Sequence, residues 1–385
     1  MRKIRAIFIF TLLVFAILPT LYAERIQCVW TGIERIVAVG DLHGDYEVFI
    51  NILKVNKIID EEKHWIAGKT HLVQIGDIFD RGGHAKSIMD FLMILENEAE
   101  QAGGKVHALI GNHEFMNIAG VAFDQRGYIF LDQFVSFLPK EYVEEMEMKF
   151  RQNAGENSPR ENNSDHFYDP DLETEWLKLL GDVLTNKRHP ARLKYSRNLL
   201  EIYGEWLFNK NTVIKINDTV FVHGGLNEKY SKRNLEKLNE SIRKEMKSVA
   251  SAAKSPFRQN VRAPISYDTD GPLWYRDLAQ IEGSGFEKEV DRILENLKAK
   301  HMVIAHTPQL IKHPGEMQRY NKKIWIIDTG NSSVYINGRE SALRIENGEF
   351  YVWLGEPRKG EAPSLEYTKQ FQVGSGTATP LFSAS

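Results

Sequence analysis

Short apolar runs of strand length recur along the chain, and between them apolar residues fall at helical rather than alternating spacing. Residues 33–39 read as a strand, 46–59 as an amphipathic helix and 71–75 as a second strand. A helix over 85–101 follows, with Gly103-Gly104 placed to stop it, and then a third strand over 105–110. This βαβαβ opening predicts an α/β sheet with helices on its faces. From 115 to about 210 the pattern turns helical and polar, and an Asn/Ser/Asp/Glu-rich stretch at 153–171 reads as an exposed loop. Residues 213–222 predict a β-hairpin turning at Asn217-Asp218, and a charged helix follows over 228–254. Further strands are expected at 302–305 and 324–327, with a terminal hairpin over 342–354 turning at Glu346-Asn347-Gly348. Beyond 355 the chain is rich in Gly, Ser, Thr, Pro and charge, the composition of a disordered tail. No internal repeat is present.

The first residues depart from this pattern. Met1-Arg2-Lys3-Ile4-Arg5 is basic, 6–18 is almost wholly apolar, Pro19 breaks the run and Ala23 offers a small residue for cleavage. That layout predicts a signal peptide over 1–23, export to a periplasm or secretory pathway, and no stable membrane insertion after cleavage. The apolar run is shorter than the roughly 20 residues that span a bilayer. With 385 residues, 42% of them hydrophobic, the remainder suits one large globular domain over 24–354. A net charge of -3 with interspersed signs argues against a nucleic-acid partner. Cys28 is the only cysteine, so no disulfide framework exists.

The chemistry lies at the ends of the predicted strands. Gly40-Asp41-Leu42-His43-Gly44-Asp45 follows the first, and Gly76-Asp77-Ile78-Phe79-Asp80-Arg81-Gly82 the second. Gly111-Asn112-His113-Glu114 follows the third, His223-Gly224-Gly225 the hairpin, and His306 the strand at 302–305. Ligands of open α/β sheets bind at the carboxyl ends of strands. A lone Gly-Asp after a strand is an ordinary turn, and His64, His71, His84, His107, His166, His189, His301 and His313 read as structural histidines. Five such ends in one chain read differently. Carboxylate, amide oxygen and imidazole without thiolate suit manganese, iron or zinc in a catalytic site, not a structural zinc.

These motifs resemble the phosphoprotein-phosphatase branch of the metallophosphoesterases. Phe79 in place of Val, the exported start and Gly271-Pro272-Leu273-Trp274-Tyr275-Arg276 are similar to Shewanella-like phosphatases. The resemblance covers about 34–347 and implies an α/β calcineurin-like sandwich of two packed mixed β-sheets flanked by helices. It implies two divalent metal ions, with manganese the expected ion in vitro. Asp41, His43 and Asp77 would hold the first; Asp77 would bridge to a second, completed by Asn112, His223 and His306. A hydroxide held by the metals would attack a phosphate monoester, His113 would protonate the leaving oxygen, and Asp80 would orient His113. Arg81 would bind the phosphate, joined by Arg276 unless that residue forms a surface pair with Asp277. The expected substrate is a phosphorylated protein or small phosphomonoester, phosphotyrosine included.

The departures from the resemblance also carry information. Asn112 and His223 lie 111 positions apart, which implies a helical insertion over about 115–210, either a lid or a surface elaboration. Asp328-Thr329-Gly330 stands where eukaryotic relatives carry Ser-Ala-Pro-Asn-Tyr-Cys, which implies insensitivity to the toxins bound by that run. A cysteine-dependent phosphotyrosine phosphatase is excluded, because His-Cys-x5-Arg is absent: Gln27 precedes Cys28 and Glu34 stands at the arginine position. Two alternatives remain at this point, a dinucleoside-polyphosphate or nucleotide hydrolase using the same metals and an inactive binding protein on the same fold.

Overall fold

The computed structural model describes residues 26–125, 127–153, 170–255 and 261–357. The expected signal peptide, most of the 153–171 loop and the tail from 358 lie outside the described residues. No helix among the described residues is long and apolar enough to cross a membrane.

Eleven strands among the described residues form two sheets. They are β1 (Val29–Trp30), β2 (Arg35–Val39), β3 (His71–Gln74), β4 (Lys105–Ala108), β5 (Val213–Ile216), β6 (Thr219–Val222), β7 (His301–Ile304), β8 (Gln318–Arg319), β9 (Ile324–Ile326), β10 (Ser341–Glu346) and β11 (Glu349–Leu354). One sheet has the order β11-β10-β2-β3-β4 and the other β1-β5-β6-β7-β9-β8. Both are mixed: β2-β3-β4 and β6-β7-β9 run parallel, while β10 lies antiparallel to β2 and β5 antiparallel to β6.

Side-chain alternation sorts each strand between two cores. Ile36 and Ala38 of β2 join Val73, Phe221, Val303 and Ile327 between the sheets, while Val37 and Val39 join the core beneath the helices. Both faces of the central strands are therefore buried, which explains why they read as unbroken apolar runs. Cys28 lies buried in the inter-sheet core.

The helices are α1 (Tyr46–Val55), α2 (Ala85–Gln101), α3 (Asn112–Ala119), α4 (Leu131–Ser136), α5 (Lys140–Asn153), α6 (Pro170–Thr185), α7 (Pro190–Ile202), α8 (Gly204–Phe208), α9 (Glu228–Ser231), α10 (Leu235–Ala253), α11 (Asp277–Gln280) and α12 (Ser284–Leu297). Two expected helices change shape. The first stops at Val55, capped by Asn56, because Lys57 takes φ 55° and Ile59 turns to bridge Trp65. The charged helix over 228–254 is two helices, since Asn234 interrupts it and accepts from the Lys237 N–H as a new N-cap. Helices α4 to α8 fill the interval between α3 and β5. Buried Arg192 ties α7 to α6 and to the turn before α4, donating to the Val183 and Leu184 carbonyls and pairing with Asp124 at 2.7 Å.

Candidate metal and phosphate site

The sequence motifs meet where the two sheets present the carboxyl ends of their parallel strands. Asp41 and His43 follow β2, Asp77, Asp80 and Arg81 follow β3, and Asn112 and His113 open α3 after β4. His223 follows β6 and His306 follows β7, in the other sheet. Asp41, His43, Asp77, Asp80, Asn112, His113, His223 and His306 are all buried.

The loops that carry them are held in unusual backbone. His43, Asp77, Asp80, Arg81 and His306 adopt φ of 45°, 56°, 70°, 68° and 67°, a region that side-chain-bearing residues enter at a cost. Neighbouring motifs also touch. Gly76, at φ 82°, lies so close to Gly111 that a Cβ would meet its nitrogen at 2.5 Å. Glu114 braces the same contact, accepting from the N–H groups of Asp77, Ile78 and Gly111 at 2.8, 2.6 and 2.7 Å.

Two of the imidazoles have one nitrogen fixed by a backbone carbonyl. His43 Nδ1 bonds to the Phe79 carbonyl at 3.0 Å and His223 Nδ1 to that of Ile75 at 2.8 Å. A carbonyl only accepts, so each Nδ1 carries a proton and each Nε2 points inward. His223 Nε2 lies 2.9 Å from Asn112 Oδ1, 3.2 Å from Asp77 Oδ2 and 3.2 Å from His306 Nδ1. Acceptors converge there with no donor able to serve them all. His306 Nε2 is buried with no hydrogen-bond partner among the described residues. His43, Asp77 and His113, and separately Asp77, His223 and His306, bring ligand atoms within 4.8 Å of one another. Converging lone pairs with an orphaned imidazole nitrogen fit divalent cations, and Asp77 belongs to both groups.

The electrostatics agree. Burial, reinforced by His113, holds the His43 pKa well below its usual value, and burial with His223 does the same for His306. Both imidazoles are thus kept neutral, the form that binds metal. Burial would lower His223 too, but Asp77 beside it raises it. Burial would raise Asp77, yet His223, His113 and His43 hold it well below the usual carboxylate range. The attraction between Asp77 and these imidazoles shows a site that favours positive charge beside Asp77. Asp41 is pushed up by burial, then by Asp328 and Asp77.

His113 and Arg81 occupy one side. His113 Nδ1 bonds to Asp80 Oδ2 at 2.6 Å, while its Nε2 lies 3.8 Å from Asp77 Oδ2. The Arg81 guanidinium lies between two tyrosines, 5.1 Å from the ring centre of Tyr128 and 5.6 Å from that of Tyr335. Arg276 donates through Nη1 to the His306 carbonyl at 2.8 Å and to Thr307 Oγ1 at 3.1 Å. It therefore belongs to the rim of the site, and the surface pair with Asp277 is not formed among the described residues.

Sequence reasoning missed Glu114 as a brace, Asp328 beside Asp41, Tyr128 and Tyr335, and the groups around Asp80. One signal was present for the last: Gln133 interrupts the apolar i, i+3, i+4, i+7 stripe of Phe130, Phe134 and Phe137. A polar residue on a buried helical face needs partners.

Two packed mixed sheets presenting oxygen and imidazole ligands at their strand ends are the arrangement of a metallophosphoesterase fold. Residues 34–310 match the calcineurin-like phosphoesterase family, and the chain belongs to it. Within that family it is 34% identical to Shewanella-like protein phosphatase 2 of Arabidopsis thaliana over 229 residues, 58% of this chain and 55% of that protein. It is 29% identical to Shewanella-like protein phosphatase 1 of Plasmodium berghei over 317 residues, 79% of this chain and 68% of that protein. The chain thus spans little more than half the length of the plant relative. Among solved structures it resembles a cold-active protein-tyrosine phosphatase of a psychrophilic Shewanella species, with a TM-score of 0.58 and 27% identity over 85% of this chain and 80% of that one.

Proposed function

We propose that this protein is a phosphoprotein phosphatase that uses two divalent cations and accepts phosphotyrosine. The observation that carries the reading is the His113–Asp80 pair, buried at 2.6 Å beside Arg81 and facing Asp77, the residue shared by both ligand groups. Asp41, His43 and Asp77 would hold one cation and Asp77, Asn112, His223 and His306 the other. Bound there, the cations supply Lewis acidity and generate a nucleophile from water at neutral pH.

The chain's own residues do the rest. Arg81 takes the non-bridging phosphate oxygens and spreads the charge that develops on them. Arg276, anchored on the His306 carbonyl and Thr307, would join it in holding the phosphate. His113 Nε2 gives its proton to the departing oxygen, while Asp80 receives the Nδ1–H and keeps the ring aimed. Tyr128, with its ring 4.6 Å from that of His113, presents aromatic surface beside the proton donor, which favours an aryl ester over an alkyl one. The solved relative is named a protein-tyrosine phosphatase, which supports the same preference. The basic and apolar start at 1–23 supports an exported enzyme.

The test is hydrolysis of phosphotyrosine, phosphoserine and phosphothreonine peptides beside diadenosine tetraphosphate, with and without manganese. Manganese-dependent release from phosphotyrosine is expected, and His113→Asn should lower it by roughly a hundredfold or more without loss of bound metal. Preference for the dinucleotide, with the peptides untouched, would overturn the substrate class.

A further inference from the structure

Helix α3 and the helical interval that follows it bring three side chains around Asp80 that no motif contains. Gln133 of α4, Asn117 of α3 and Tyr195 of α7 close around Asp80, and all three are buried to within 1% exposure. Gln133 grips Asp80 twice: its Oε1 accepts from the Asp80 N–H at 2.6 Å and its Nε2 donates to Oδ1 at 2.8 Å. Asn117 Nδ2 donates to Oδ1 and Oδ2 at 3.0 and 3.1 Å and to the His113 carbonyl at 3.0 Å. Tyr195 links the two amides, donating its O–H to Asn117 Oδ1 at 2.8 Å and accepting from Gln133 Nε2 at 3.0 Å.

The donor and acceptor count closes. Each amide uses both N–H groups and its oxygen, and the phenol gives one bond and takes one. Asp80 Oδ1 takes the Gln133 amide, Asn117 straddles both oxygens, and Oδ2 receives His113 Nδ1–H. The surroundings are dry: the Tyr195 ring packs against Phe123, Phe137 and Phe134 with ring centres 5.0, 5.4 and 6.3 Å away. In such a medium each bond is strong and a missing one is costly. Asp80 also stands at φ 70°, a conformation that needs support from outside its own loop.

We infer that Gln133, Asn117 and Tyr195 are positioning residues through which this helical layer keeps Asp80, and hence His113, aimed at the leaving oxygen. Their hydrogen bonds run to Asp80, to the His113 carbonyl and to one another, so they act through the His113–Asp80 pair. This inference rests on the proposed role of His113 as the proton donor.

Leaving-group chemistry tests it. A phosphoserine peptide releases a basic alkoxide that needs the proton, whereas 4-nitrophenyl phosphate releases a phenoxide that needs it far less. Tyr195→Phe, which keeps the packed ring, and Gln133→Met should lower kcat on phosphoserine about tenfold more than on 4-nitrophenyl phosphate. KM and bound metal should not change. In a His113→Asn background the same substitutions should add no further loss, because the group they aim is gone. Equal losses on both substrates, or full additivity with His113→Asn, would reduce the network to a packing role and overturn the inference. His113→Asn alone separates the two levels: if its own loss does not grow with leaving-group basicity, the assignment of the acid falls first.

Discussion

Asp77 sits between three imidazoles, at a φ of 56°, with the side chain of Glu114 holding its backbone from behind. Glu114 is buried and offers its carboxylate to three backbone N–H groups on two different motif loops. Burial and the neighbouring Asp77 push its pKa up, yet the three donors favour the ionised form. Glu114→Gln replaces one of the accepting oxygens with a donor facing N–H groups. The expected cost is about 3 kcal/mol of unfolding free energy, together with loss of bound metal, measured by urea denaturation and metal analysis. A change below about 1 kcal/mol would mean that the loops hold their left-handed conformations without this brace. The letters of the Gly-Asn-His-Glu motif were legible in the sequence, but the work of its last residue was not. A brace is defined by where three amides of distant loops come together, and no local pattern records that.

At the scale of elements, strands β2 to β4 and helix α2 were readable because both follow local rules, unbroken apolar runs and a single apolar helical face. The two-residue strands β1 and β8 were not, since pairing with β5 and β9 alone makes them strands. The helices between α3 and β5 were read as helical, but their role was left between a lid and a surface elaboration. Gln133 and Tyr195 tie α4 and α7 to Asp80, together with Asn117 of α3. Adjacent strands hold another buried polar pair, His71 of β3 and His107 of β4, hydrogen-bonded at 3.0 Å against the edge of Trp30. Burial, with Lys105 nearby, lowers His71 from 6.5 to about 4, and burial with His71 lowers His107 further. As pH falls below the ordinary value the unfolded chain takes up a proton that the folded one refuses. Their contribution to stability is therefore complete above about pH 6.5 and drains away as pH falls toward 4. His71→Asn should show a shallower fall in Tm between pH 7 and 5 than the parent protein. An identical slope would place the acid sensitivity elsewhere.

Over the whole molecule, the ligands are divided between the sheets. Asp41, His43, Asp77 and Asn112 stand on one, His223 and His306 on the other. A cation held by Asp77, His223 and His306 would therefore fasten the two layers together and stabilise the folded state in proportion to its occupancy. At a free metal concentration of 100 times Kd that stabilisation is about 2.7 kcal/mol. Chelation should lower Tm, and titrating manganese back should restore it along the binding curve; a Tm indifferent to chelator would show the sheets joined by their apolar core alone. The division also has a bearing on biosynthesis. Asp41 and His306 meet across 265 positions of chain, so the first half of the site is synthesised long before the second. A ribosome-bound chain stopped at residue 300 holds His113, Asp80 and Arg81, yet lacks the imidazole of His306. In the proposed reading, turnover would await His306, and its onset would serve as a clock for the arrival of β7 in its sheet.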